Sequence, residues 1–117
     1  MKVYLSNESY KSVLIKGQMS TTELANIMAE KLNMDKSYGN YLDIYEIQKE
    51  TSMKVVTRIN MSVRKLNSGE SIIEVRAKWP TILGKSGNET LLHCRLVCKP
   101  KLVAPQDVLT KYNDALK

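Results

Sequence analysis

The chain has 117 residues, with 18 basic and 12 acidic side chains and a formal net charge of +6. This length fits one domain of about 100–150 residues, which buries enough surface to fold without a disulfide or a metal. Two cysteines and one histidine argue against a disulfide scaffold and a zinc site. No apolar run approaches the ~18 residues that span a bilayer, and the N-terminus lacks the apolar centre of a signal peptide. We therefore expect a cytoplasmic protein.

The positive charge is concentrated in the second half of the chain. Residues 61–117 hold 10 basic and 5 acidic side chains, whereas residues 1–60 hold 8 and 7. A basic half favours an acidic partner, nucleic acid or an anionic membrane, but an excess of this size is also typical of an ordinary soluble surface. The charge alone therefore does not select a partner.

The N-terminal residues predict a β-hairpin followed by a helix. Residues 2–5 and 10–16 alternate with period two around the polar turn 6–9, as two half-buried strands do. Ser20 and Glu23 have the spacing of a capping box, which begins a helix. The predicted core residues of this region are Val3, Leu5, Val13, Ile15, Leu24, Ile27, Met28 and Leu32.

The remaining residues predict three strands, a short helix and a tail. Strands are predicted over 41–47, 55–59 and 91–98, helical turns over 72–79, and loops over 33–40, 49–53, 64–71 and 81–89. Apolar residues recur at helical spacing from Val108 to Leu116, which predicts either a docked terminal helix or the start of a linker. The order ββαββ(short helix)β does not alternate regularly. It favours an α+β fold with one helix over a mixed sheet, the ubiquitin-like β-grasp roll.

The sequence contains no recognisable catalytic motif. His93 and Cys94 are adjacent in a predicted strand, so their side chains point to opposite faces and do not form a nucleophilic pair. Cys94 and Cys98 share a face, which predicts buried apolar side chains rather than a redox pair. Few basic residues flank Tyr41 and Tyr45, the aromatic pair available to stack on bases. We therefore predict no enzyme, no cofactor, no metal site and no nucleic-acid partner.

Four segments, in this order along the chain, carry a resemblance to a known family. They are residues 2–15, the end of the capped helix at 29–31, the strand 42–47 and the segment from Glu70 to Trp79. With these segments, residues 1–99 resemble the Ras-association domains, and are most similar to those that precede a PH domain in Grb-type and lamellipodin-type adaptors. The resemblance implies a Ras-association domain over residues 1–100, with residues 101–117 as a tail.

The resemblance also implies a function. Such domains bind a GTP-loaded Ras-family protein, Ras or Rap, which adds its effector-loop strand to the sheet edge formed by the second strand. GTP and Mg²⁺ belong to the partner, which would recruit this chain to the membrane. Basic side chains beside the edge would complement the acidic effector loop. The implied GTPase-binding residues are Lys2, Tyr4, Lys11, Ser12, Leu14, Lys16 and Lys31.

Three of these lysines also have a purely structural interpretation. Lys2 fits a solvated strand position, and Lys11 fits a charge that protects an edge strand from aggregation. Lys31 has the spacing to pair with Asp35. Trp79 is predicted to lie in the core, with an exposed binding anchor as the alternative.

The sequence is also compatible with a second function. It is a ubiquitin-like module that contacts an anionic membrane or a neighbouring domain instead. The basic residues assigned to the membrane contact are Lys85, Arg95, Lys99 and Lys101.

Overall fold

The computed structural model describes residues 1–52, 59–79 and 90–116, which build a five-stranded mixed sheet with helices packed on it. The elements in chain order are β1 (Lys2–Tyr4), β2 (Tyr10–Ser12), α1 (Thr21–Lys31), a 3₁₀ helix (Lys36–Tyr41), β3 (Leu42–Ser52), β4 (Ile59–Lys65), α2 (Ile72–Ala77), β5 (Thr90–Pro100) and α3 (Gln106–Ala115). This succession confirms the predicted α+β class and order, including the terminal helix. Within the described residues, no helix is both long and apolar enough to cross a membrane.

The strand order across the sheet is β2-β1-β5-β3-β4. β1 runs parallel to β5 in the centre, and the other neighbouring pairs are antiparallel. The first hairpin and the hairpin of β3 and β4 therefore flank the last strand of the chain. This arrangement leaves β2 and β4 as the two edges of the sheet.

The core lies between α1 and one face of the sheet. The hydroxyl of Ser20 accepts a hydrogen bond from the N–H of Glu23 (3.2 Å), so the predicted capping box begins α1. Leu24 and Met28 on α1 are fully buried against the sheet. The sheet residues on this side include Val3, Ile44 and Leu96, all about as buried. Each such side chain contributes about 1.5–3 kcal/mol to folding.

The C-terminal residues form a docked helix, one of the two predicted alternatives. Val108 and Tyr112 of α3 are buried in the same core. The hydroxyl of Tyr112 donates to the carbonyl of Cys98 (2.6 Å) and accepts from the N–H of Ser6 (3.0 Å). The helix thus connects β5 to the turn between β1 and β2.

Several predicted boundaries are wrong because tertiary hydrogen bonding decides them. β2 ends at Ser12 instead of residue 16, and β3 continues to Ser52 through the predicted turn because β4 and β5 pair with it on both sides. The predicted loop 33–40 contains the 3₁₀ helix, which Asp35 caps by accepting from the N–H of Ser37 (2.9 Å). Arg64 belongs to β4. The predicted loop 81–89 and most of the predicted strand 55–59 lie outside the described residues.

Candidate functional site

The edge formed by β2 presents unpaired backbone groups. Met1 and Val13 exchange both backbone hydrogen bonds (2.9 and 2.8 Å), and Val3 faces Lys11 two residues further on. Hydrogen-bonded pairs alternate along an antiparallel ladder, so the N–H and C=O groups of Ser12 point away from β1. By the same alternation, the N–H and C=O groups of Tyr10 also point away from β1. No strand lies beyond β2 in the described part of the chain, so these groups are open to a further strand.

The predicted binding residues lie on both faces of this edge. Lys11 is paired with buried Val3 and therefore shares the face that carries α1. Lys2 is paired with Ser12, and both side chains project from the opposite face, which we call the open face. Tyr4 lies on the open face as well. The structure therefore places Lys2 and Lys11 on opposite sides of one edge rather than in one cluster.

Two cations on the open face contact aromatic rings. The Nζ of Lys2 lies 4.5 Å from the centre of the Tyr10 ring, and the guanidinium of Arg95 lies 4.9 Å from that of Tyr4. The two rings are 5.7 Å apart. Each such cation–π contact contributes about 0.5–1 kcal/mol at an exposed site. Tyr10 was not among the predicted site residues, although the period of the strand places its side chain on the same face as that of Ser12. Arg95 was not predicted at this position either, since the parallel pairing of β5 with β1 has no local signal.

The remaining predicted residues lie beyond the paired part of β2. Leu14 is 72% exposed, and Lys16 is exposed on the segment that leads to α1. Lys31 is exposed in the last turn of α1. This end of α1 contacts α3, where the Nζ of Lys111 donates to the carbonyl of Asn33 (3.2 Å). α3 in turn contacts the β1–β2 turn through Tyr112 and Leu116, so α3 links the end of α1 to that turn.

Glu46, a buried carboxylate on β3, links the sheet to the segment that follows α2. Glu46 is 5% exposed and accepts hydrogen bonds from Trp79 Nε1 (2.8 Å), Arg64 Nε (3.3 Å) and Gln48 Nε2 (3.4 Å). Arg64 also donates two bonds to Glu70, which lower the pKa of that carboxyl. Trp79 is half-buried against the core. Its indole has a structural partner, but the ring packs against the core and is not one of the buried core residues, so the core prediction is only partly confirmed.

The residues predicted for a membrane contact do not form a single patch in the described structure. Arg95 and Lys99 share the open face, and the Nζ of Lys99 lies 5.7 Å from the centre of the Tyr45 ring. Lys101 lies 3.9 Å from the carboxylate of Asp43. Lys85 lies outside the described residues.

Neither cysteine is placed for reaction. Cys98 is fully buried, and desolvation raises its thiol pKa to about 12. Desolvation, followed by the charge of Glu46, also raises the pKa of Cys94. A thiol with a raised pKa holds little thiolate at neutral pH. Within residues 1–52, 59–79 and 90–116, no group of three His, Cys, Asp or Glu side chains is arranged to hold a metal ion.

Comparison with known proteins identifies the fold. No protein-family model and no curated protein matched the chain. A solved structure of the MyTH4-FERM MF1 domain of Dictyostelium discoideum myosin VII, mutant 2, aligns with 97% of this chain at a TM-score of 0.71 and 17% identity. This chain spans 22% of the length of that chain. The likeness confirms the predicted ubiquitin-like β-grasp fold. Membership of the Ras-association family stays a prediction.

Proposed function

We propose that this chain is a protein-interaction module of the Ras-association type, which binds GTP-loaded Ras or Rap through the β2 edge. One observation carries the proposal. The backbone groups of Tyr10 and Ser12 point away from the sheet along an edge that has lysines on both of its faces. An extended segment of a partner can add to such an edge as a sixth strand.

The positions of the lysines fit an acidic partner strand. Successive side chains of an added strand point to opposite faces of the sheet. Neighbouring acidic residues on that strand would therefore meet Lys2 on the open face and Lys11 on the helix face in turn. Lys16, on the segment after β2, and Lys31, in the last turn of α1, would extend this complementarity. Contacts of this kind mainly raise the association rate, so we expect affinity to fall with salt.

Proline substitutions test the strand pairing directly. Ser12→Pro removes an N–H that points outward, and proline is tolerated on an edge strand when its N–H side faces solvent. We expect this variant to fold and to lose at least about tenfold in affinity for Ras or Rap loaded with a GTP analogue. Surface plasmon resonance measures the binding, and thermal unfolding checks the fold. Ser12→Ala is the matched control and should behave like the parent.

Two further comparisons complete this experiment. Lys11→Pro removes the N–H that bonds to Val3, so it should destabilise the hairpin itself, unlike Ser12→Pro. Full binding by Ser12→Pro, or equal binding of the GTP- and GDP-loaded partners, would contradict the proposal. Absence of GTPase binding together with pelleting on phosphatidylserine vesicles would instead support the membrane contact weighed as the alternative.

A further inference from the structure

A groove of about 660 Å³ lies where β5 extends past β1. β3 pairs with β5 along its whole length from Thr90 to Pro100, whereas β1 pairs with it only at Leu96 and Val97. Within the described residues, the part of β5 before Leu96 has no strand on its β1 side. Among the described residues, alternate backbone groups of this stretch have no strand partner. β1 separates this groove from the β2 edge.

The two walls of the groove differ in chemistry. Lys49 and Arg95 line it from the open face, together with Lys2. On the helix side, the lining includes Met1 and the indole of Trp79, which is anchored there by Glu46. The open-face wall therefore carries three cations, and the helix-side wall carries Arg76 beside Met1 and Trp79.

Among the described residues, the lining of the groove is positively charged, because four of its side chains are cationic and one, Glu8, is a carboxylate. Glu8 lies 3.4 Å from the guanidinium of Arg95, and its side chain is 78% exposed. Such an exposed pair contributes little and is easily exchanged for another partner. Lys49 is exposed and stands opposite His93 and Met61 in the sheet.

We propose that this groove binds an acidic peptide segment of a partner protein, which pairs with β5 as an added strand. Side chains of a strand alternate between the faces of a sheet. The segment recognised here therefore alternates acidic residues, which meet Lys49 and Arg95, with apolar residues, which meet Trp79. A concave groove can hold an extended chain segment, whereas a bilayer presents a flat surface. The groove uses a different strand from the proposed GTPase binding at β2, although Lys2 and Tyr4 belong to both sites.

A synthetic peptide that alternates glutamate and leucine is the probe. We expect calorimetry with the full chain to show binding that Lys49→Glu weakens about tenfold. Lys65→Glu makes the same charge change on the open face but outside the groove, so it should bind like the parent. Glu8→Gln should strengthen binding roughly threefold, because it releases Arg95.

Three outcomes would overturn the proposal. The first is equal loss of affinity in Lys49→Glu and Lys65→Glu, which would indicate a general charge effect. The second is equal binding of a peptide with the same composition in blocks, since only alternation matches the two walls. The third is binding of phosphatidylserine vesicles that Lys49→Glu abolishes, with no peptide binding. Ser12→Pro should leave peptide binding unchanged, which keeps this test separate from that of the β2 edge.

Discussion

Lys11 is the predicted site residue with the most definite place in the structure. It flanks the open backbone groups of β2 from the helix face and is half-buried beside the core. Lys11→Glu should reduce affinity for the GTP-loaded partner by about 30-fold, or about 2 kcal/mol, because it sets a like charge against the acidic effector loop. Lys65→Glu, on the opposite edge strand, is the matched control. Retention of parental affinity by Lys11→Glu, measured by surface plasmon resonance, would remove Lys11 from the interface.

Glu46 illustrates which properties of a single residue can be predicted from the sequence. Alternation with Leu42 and Ile44 places Glu46 on the inward face of its strand, so its burial follows from the pattern. Its donors do not follow from the pattern. Trp79 is 33 residues away in sequence, and only the packing of α2 brings the indole within 2.8 Å. A buried carboxylate needs such donors, since an unsatisfied one costs several kcal/mol.

The terminal helix α3 stabilises the element that carries the proposed GTPase site. The hydroxyl of Tyr112 bonds both to β5 and to the N–H of Ser6 in the β1–β2 turn. Tyr112→Phe leaves the buried carbonyl of Cys98 without this donor and removes the bond to the turn, so the free energy of unfolding should fall by about 1–3 kcal/mol. Urea denaturation measures this change. Tyr38→Phe removes a half-buried hydroxyl outside this hydrogen-bond network and should have a smaller effect. Equal effects of the two substitutions would contradict the assigned role of Tyr112.

Elements with local signals were predictable, whereas their arrangement was not. The capping box of Ser20 and the helical spacing around Tyr112 both act within a few residues, and both predictions are confirmed. The extension of β3 to Ser52 depends on neighbours that are distant in sequence. The geometry of the candidate site likewise depends on residues that are distant in sequence. The resemblance implied an edge at β2, but the face of each lysine depends on register, and the groove depends on where the pairing of β1 with β5 stops.

At the scale of the whole molecule, buried ionisable groups predict a loss of stability in alkali. The folded protein raises the thiol pKa of Cys98 from 9.0 to about 12, and desolvation also raises the pKa of the Tyr112 phenol. A raised pKa means that the unfolded chain releases its proton first. The contribution of Cys98 is therefore complete below about pH 9 and is lost as the pH rises toward 12.

Urea denaturation at about pH 8 and about pH 11 tests this expectation. The parent should be less stable at the higher pH. Cys98→Ala removes the titration of this thiol, so the difference in the free energy of unfolding between the two pH values should be smaller than in the parent. An equal difference in both proteins would show that Cys98 does not contribute.

Trp79, whose indole donates to Glu46, serves as an intrinsic fluorescence reporter of this protein. Trp79 is the single tryptophan of the chain, so its fluorescence emission reports one defined position. The indole donates to a buried carboxylate on one side and lines the groove beside β5 on the other. Unfolding exposes the ring to water and shifts its emission to longer wavelength, whereas a chain segment seated in the groove covers it further and shifts the emission the other way. The intrinsic emission of the unlabelled protein therefore distinguishes loss of the fold from occupation of the groove by the sign of one spectral shift.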